Sequence, residues 1–210
     1  MTTEDALHEQ WQQIRDRLRG RKLLAVNGGS LSLRMPGRDA MWFGGTSDAA
    51  PQRVLLRAAS GESEVHAAVY AARSDVGAIA AGGGEYGRSL VDFGGAMPQV
   101  FDEQARHLGR TGPAAQDLRS AARSLSEGGN ALLIQGCPVC LGMTAIRMAL
   151  NAELFEKCAK AYVLAVATGA RVKSLPRIVS FIANRRLAKD ERRATERFQQ
   201  DLLPEEPKGY

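Results

Sequence analysis

Apolar residues at Leu7, Trp11, Ile14 and Leu18 recur every three or four positions. That repeat puts a stripe on one face of a helix. It predicts an amphipathic helix over residues 3–19, stopped by Gly20. The pattern then shortens. Asn27-Gly28-Gly29-Ser30 is a turn signal. Residues 31–35 and 41–44 read as strands joined across Pro36-Gly37, and residues 54–57 as a third short strand. Residues 62–73 are helical in composition, with Ser60 as the expected cap. Residues 77–81 form a small buried strand, followed by glycines and a helix over about 85–93. Residues 98–101 are expected to be extended. Residues 113–127 are expected to be helical, with Leu118, Ala122 and Leu125 on one face. An apolar strand at 131–135 precedes a long Ala- and Leu-rich helix at 145–168. Pro176 opens a last helix reaching about 198, and the chain after 203 is expected to be loose.

This alternation is α/β, but it is not a steady βαβαβ, because the first strands come as hairpins. No internal repeat and no low-complexity tract interrupts it.

Composition narrows the class. With 210 residues, 44% hydrophobic and 24% charged, the chain can bury a core without disulfide or metal staples. Collagen-like and disordered readings fail. No apolar run approaches the roughly 18 residues of a membrane span. The first ten residues are polar and acidic, unlike a secretory signal. Three cysteines fit a reducing compartment better than a disulfide framework. A cytoplasmic location is expected, with no membrane partner.

The net charge of +5 is unevenly spread. Residues 171–198 hold nine basic and three acidic residues, Asp190, Glu191 and Glu196. A basic helix can bind nucleic acid or an anionic surface. The interleaved acids and scarce aromatics favour a solvated helix instead.

Three stretches could carry chemistry. Gly82-Gly83-Gly84-Glu85-Tyr86-Gly87 satisfies G-x-G-x-x-G between a strand and a helix, where backbone N–H groups can meet a phosphate. It comes late in the chain, and Pro98 interrupts the strand such a fingerprint needs. A tight strand-to-helix turn is the simpler reading. Cys137-Pro138-Val139-Cys140 is a C-x-x-C, redox-active or half of a zinc site in other settings. No second pair stands at ligand spacing, so two packed, unreactive cysteines are favoured. Glu62 and His66 are i,i+4 neighbours that share a helix face with acid–base potential. A solvated helix face with a packed histidine is the plainer alternative. His8 and His107 have no neighbours in sequence that suggest a site.

Taken together, these stretches resemble the class II aldolase/adducin N-terminal domain family, which includes fuculose-phosphate aldolase and ribulose-phosphate epimerase. Gly29-Ser30-Leu31-Ser32-Leu33-Arg34 is similar to the family's G-N-x-S-x-R, with Ser30 in place of Asn. The stretch from Ser60-Gly61-Glu62 through His66 and Tyr70 to Arg73-Ser74-Asp75-Val76 is similar to S-S-E-x-x-x-H-x-x-x-Y-x-x-R-P-D-V. Leu132-Leu133-Ile134-Gln135-Gly136 resembles the strand and His-Gly turn before the family's last long helix. The resemblance covers about residues 7–175. It implies a three-layer α/β/α domain around a mostly antiparallel sheet over residues 1–175. Residues 176–210 would add a basic helix and tail, packed on or extending that domain. It also implies a homo-oligomer, commonly a tetramer.

In the family, three histidines bind a divalent metal that polarises the substrate carbonyl, while a glutamate moves protons. The positions implied for those histidines hold Ala81, Gly83 and Gly136. No cofactor is therefore expected, and standard zinc-dependent aldol cleavage is expected to be absent. Glu62 matches the proton-transfer glutamate. Ser30, Thr46, Ser47 and Ser60 fall at or near the family's anion-binding segments, and each can donate a hydrogen bond to a small anionic ligand. Gly82, Gly83 and Gly84 could offer backbone N–H groups where the cation would have been.

Three functions follow. The chain could be a divergent lyase-like enzyme acting on a sugar phosphate or oxo-acid through Glu62. It could be a non-catalytic binding or assembly protein. It could bind nucleic acid or an anionic surface through its last helix, the least favoured of the three.

Overall fold

A computed structural model describes residues 3–25 and 28–206. Asn27 of the expected first turn lies outside the described residues. The chain runs α1 (Thr3–Gly20), β1 (Ser30–Arg34), β2 (Ala40–Gly45), β3 (Gln52–Leu55), α2 (Glu62–Ala72), β4 (Ala78–Ala81), α3 (Glu85–Ser89), α4 (Leu118–Ser126), β5 (Ala131–Ile134), β6 (Cys137–Gly142), α5 (Ala145–Ala167) and α6 (Arg177–Gln199). The strands form one six-stranded sheet in the order β3-β2-β1-β4-β6-β5. Every pairing between these strands is antiparallel.

Alternation along the strands splits the core in two. Leu31, Leu33, Ala78, Ala80, Leu133 and Cys140 face one layer, packed with Trp11 and Leu18 of α1 and Met148, Ala152 and Phe155 of α5. Ile79, Leu132, Ile134 and Leu141 face the other, with Val69 and Tyr70 of α2 and Ala121 and Leu125 of α4. This is a three-layer α/β/α arrangement around an antiparallel sheet. Trp11 is fully buried and donates its indole N–H to the Leu31 carbonyl at 2.9 Å, tying α1 to the central strand.

Several expectations shift. The third strand ends at Leu55, and Leu56–Ala58 form a 3-10 turn. Ser60 does not cap α2. Gly61 holds that position without a side-chain cap, and the Ser63 hydroxyl donates to the Ser60 carbonyl. The helix expected over 85–93 closes at Ser89 and tightens into a 3-10 turn over Leu90–Phe93. The helix expected from 113 starts at Leu118, where Asp117 and Ser120 form a capping box. That cap resets the register, so Ala121 is buried and Ala122 is exposed. A π-helical turn over Gln104–Leu108 was not anticipated. Nor was β6, because Cys137-Pro138 reads as a motif rather than a strand. Pro138 tolerates the strand because it sits near its start, where a missing N–H costs least.

α6 packs along the Gln104–Leu108 turn through Leu187 and reaches the sheet with Phe198. No described helix is long and apolar enough to cross a membrane.

Candidate functional site

The register brings the chain's candidate residues to one end of the sheet. Ser30 at the start of β1 pairs with Gly45 at the end of β2 and with Ala81 at the end of β4. Ala81 pairs in turn with Val139 near the start of β6. Glu62 opens α2 at the same end. A Cβ placed on Gly28 would lie 3.9 Å from its carboxylate oxygen.

Behind Glu62 lies a closed polar seam. Ser30 and Ser32 alternate out of β1 toward α2, where His66 and Tyr70 stand one helical turn apart. Ser30 Oγ is 3.0 Å from His66 Nε2, Ser32 Oγ is 2.8 Å from His66 Nδ1, and Ser32 Oγ is 2.8 Å from the Tyr70 hydroxyl. Ser32 and His66 are fully buried. Burial lowers the His66 pKa to about 3. Its imidazole is therefore neutral, with one donor and one acceptor nitrogen. One serine donates to the ring and the other accepts from it. Burial pushes the Tyr70 hydroxyl above its usual range, against the pull of Ser32 and Arg34. The seam satisfies buried polar groups, and both ring nitrogens of His66 are already engaged by serine hydroxyls.

The metal corner is built differently from what the resemblance implies. Ala81 and Gly83 carry no donor atom. A Cβ on Gly83 would stand 2.4 Å from Pro138 Cγ, so the proline ring already fills the volume a side chain there would need. Gly136 likewise has no donor. Among the described residues no three His, Cys, Asp or Glu side chains converge as a metal site. The residues present do not fit the family's zinc.

The glycine turn also serves the fold. The Gly82 N–H donates to the Pro138 carbonyl at 3.0 Å. The Glu156 carboxylate accepts from the Tyr86 and Gly87 N–H groups at 2.8 Å each. That carboxylate crowds Gly84, whose Cβ would meet its carbon at 2.4 Å. The first donors of α3 are thus taken by an anion supplied from α5. Arg88 turns back and donates to the Gly83 carbonyl at 3.2 Å.

The candidate hydroxyls divide. Thr46 is buried and donates toward the Ala25 and Gly29 carbonyls at 2.9 Å each, tying those two residues to the end of β2. The Ser30 hydroxyl belongs to the seam. Ser47 and Ser60 are exposed, and neither hydroxyl has a hydrogen bond among the described residues.

Cys137 is half-buried at this end, and burial raises its thiol pKa. The Gly82 N–H and Arg88 oppose that shift, and Glu62 adds to it. Glu62, Cys137 and Arg88 therefore share one electrostatic neighbourhood. Cys140 lies on the opposite face of the sheet, in the core. Three strand residues span roughly 10 Å, beyond disulfide reach.

A cavity of 510 Å³ lies at the other end of the sheet, lined by Arg106, Asp190, Arg193, Arg197 and Glu206. None of the candidate residues borders it.

Ser32, Pro138 and Glu156 were missed from sequence. Ser32 had a signal: two serines at i,i+2 on an apolar strand, and His and Tyr at i,i+4 on a helix. Pro138 and Glu156 had none, because each acts on a segment more than fifty residues away.

No family model matches the sequence, and no curated protein matches it. Solved structures do. YgbL from Klebsiella pneumoniae, a candidate aldolase/epimerase/decarboxylase, is 20% identical and superposes with a TM-score of 0.71 over 87% of this chain and 100% of that one. L-fuculose 1-phosphate aldolase from Glaciozyma antarctica PI12 is 16% identical, with a TM-score of 0.70 over 95% and 92%. An aldolase II superfamily protein from Pseudomonas syringae is 12% identical, with a TM-score of 0.60 over 96% and 98%. At these identities the likeness is one of fold.

Proposed function

We propose that this chain, which has the class II aldolase fold, has left zinc-dependent carbon–carbon cleavage and serves as a binding or assembly protein. The observation that carries the reading is the Pro138 ring in the volume of a Gly83 side chain. A carbanion beside a carbonyl needs a strong positive centre or an oxyanion hole. A bound metal would supply that polarisation. Here the corner holds no donor set for one, and Glu156 has already taken the nearest helix N–H groups. A homo-oligomer, a tetramer by the same resemblance, suits an assembly role.

One observation favours a second reading, a metal-free acid–base enzyme. The Glu62 carboxylate is exposed, with no ion pair or hydrogen bond among the described residues. It shares its neighbourhood with Cys137 and Arg88. A small oxo-acid or sugar phosphate at this end would meet a base in Glu62 and a cation in Arg88.

The test is the metal content of purified protein before and after incubation with zinc and manganese, with a proton-exchange assay on dihydroxyacetone phosphate in deuterated water. The proposal expects no stoichiometric metal and no exchange. Exchange that vanishes in Glu62→Gln would establish the second reading. Stoichiometric zinc with cleavage of L-fuculose 1-phosphate would overturn both.

A further inference from the structure

Two of the three acids that dilute the charge of the last helix in sequence do not share its outer face; Glu196 does, and it is exposed. Asp190 turns inward to Arg106, and Glu191 turns inward to Arg73 at 3.1 Å. The buried side of α6 is set by Ala183, Leu187, Ala194 and Phe198. At about 100° per residue, the opposite side carries Ile178, Phe181, Ile182, Arg185, Lys189 and Arg192, with the exposed Glu196 as its one acid near the C-terminal end. Ile178 is 68% exposed, Phe181 58% and Ile182 50%. Arg185 lies over the Phe181 ring at 5.7 Å. Lys189 and Arg192 have no ion pair among the described residues. Residues 171–189 contain six basic residues and no acidic one.

We infer that the outer face of α6 docks on an anionic lipid surface. Exposed apolar side chains among cations on one helix face are what an interfacial helix presents: the apolar groups enter the headgroup boundary, and the cations meet lipid phosphates and carboxylates. Charge decides against the other occupants. A second copy presenting the same face would bring two net-positive helices together without a complementary charge. Nucleic acid would meet the cations but leave Ile178, Phe181 and Ile182 unused. The body stays outside the bilayer, held by its own α6 contacts. This inference does not depend on how Glu62 is used.

Co-sedimentation with phosphatidylcholine vesicles, with and without phosphatidylserine, tests it on the full chain. Binding is expected only with phosphatidylserine, and it weakens as salt rises. Phe181→Asp is expected to weaken it about tenfold or more. Arg185→Glu, Lys189→Glu and Arg192→Glu combined are expected to weaken it about a hundredfold. All four side chains point outward, and unchanged thermal melts would confirm that the variants fold; Phe181→Ser replaces Phe181→Asp if it does not. Absence of phosphatidylserine-dependent binding overturns the proposal, as does equal binding to neutral vesicles. If vesicles are ignored and Phe181→Asp dissociates an oligomer, the occupant is a second copy. If vesicles are ignored and only the charge variant loses binding to a DNA or RNA duplex, it is nucleic acid.

Discussion

Arg73, just past the end of α2, and Glu191, midway along α6, meet at 3.1 Å, though 118 positions separate them in the chain. Arg73 is nearly sealed from solvent. Its guanidinium already holds Asp75 through two hydrogen bonds of 2.7 Å and also reaches the Asn130 side chain and the Gly129 carbonyl. Removing it would strand two buried carboxylates. Arg73→Met is expected to cost about 3–5 kcal/mol, measured by urea unfolding.

Glu191 is the second carboxylate on a cation that Asp75 has largely neutralised. Burial raises its pKa to about 7, against the pull of Arg73 and with a push from Asp75 and Asp190. The folded state then binds a proton that the unfolded chain, with its ordinary carboxylate, has already released. Stability from this group is full below about pH 4.5 and falls as pH rises toward 7. Glu191→Gln removes the slope. The difference in unfolding free energy between variant and wild type should therefore change between pH 4.5 and 7 and be flat above. A difference constant across that window would refute the assignment.

His66 runs the other way. Its folded pKa of about 3 lies below the ordinary 6.5. The unfolded chain binds the proton first, so stability is lost as pH falls from 6.5 toward 3. The imidazole should remain neutral at pH 5 in nitrogen-edited NMR. His66→Leu leaves Ser30 and Ser32 without their ring partner and is expected to cost about 2–4 kcal/mol.

Restoring histidines at Ala81, Gly83 and Gly136 should not restore a metal site. At Gly83 the new side chain meets the Pro138 ring at a backbone φ of +62°. Gly83→His alone is expected to lower stability by about 2–4 kcal/mol. The triple variant should bind zinc, if at all, only after Pro138→Gly clears the volume. Tight zinc binding with Pro138 in place would show the corner to be open.

Glu156 makes two charge-assisted hydrogen bonds into the start of α3. Glu156→Ala leaves the Tyr86 and Gly87 N–H groups without that partner and should cost about 2–3 kcal/mol. Hydrogen exchange would place the loss at residues 86 and 87 first; uniform loss across the domain would argue against a local cap.

The helices at both ends of the chain and the first hairpin were legible because they rest on local spacing: Leu7 to Leu18 for α1, Pro36-Gly37 for the β1–β2 turn. The resemblance carried the layer arrangement. What stayed hidden depends on partners brought by folding. Asp117 outranked Pro113 as the start of α4 because its side chain met Ser120. Residues 137–142 became a strand because they lie between β4 and β5, which no local pattern states. The basic run in α6 read as diluted by Asp190, Glu191 and Glu196, though the first two face inward, because a sequence shows how many charges there are, not which way they face.

The order of the sheet also bears on how the protein folds. The β1–β2 and β5–β6 hairpins close over short turns and can form as local units. They are joined only through β4, whose four residues are Ala78, Ile79, Ala80 and Ala81. β4 pairs with β1 on one side and β6 on the other, each across a long stretch of chain. The loop entropy of both closures therefore falls on one short strand with few side-chain atoms to offset it. Its docking is therefore expected to set the folding barrier. Ile79→Ala should slow folding more than it speeds unfolding, giving β4 a higher φ-value than either hairpin.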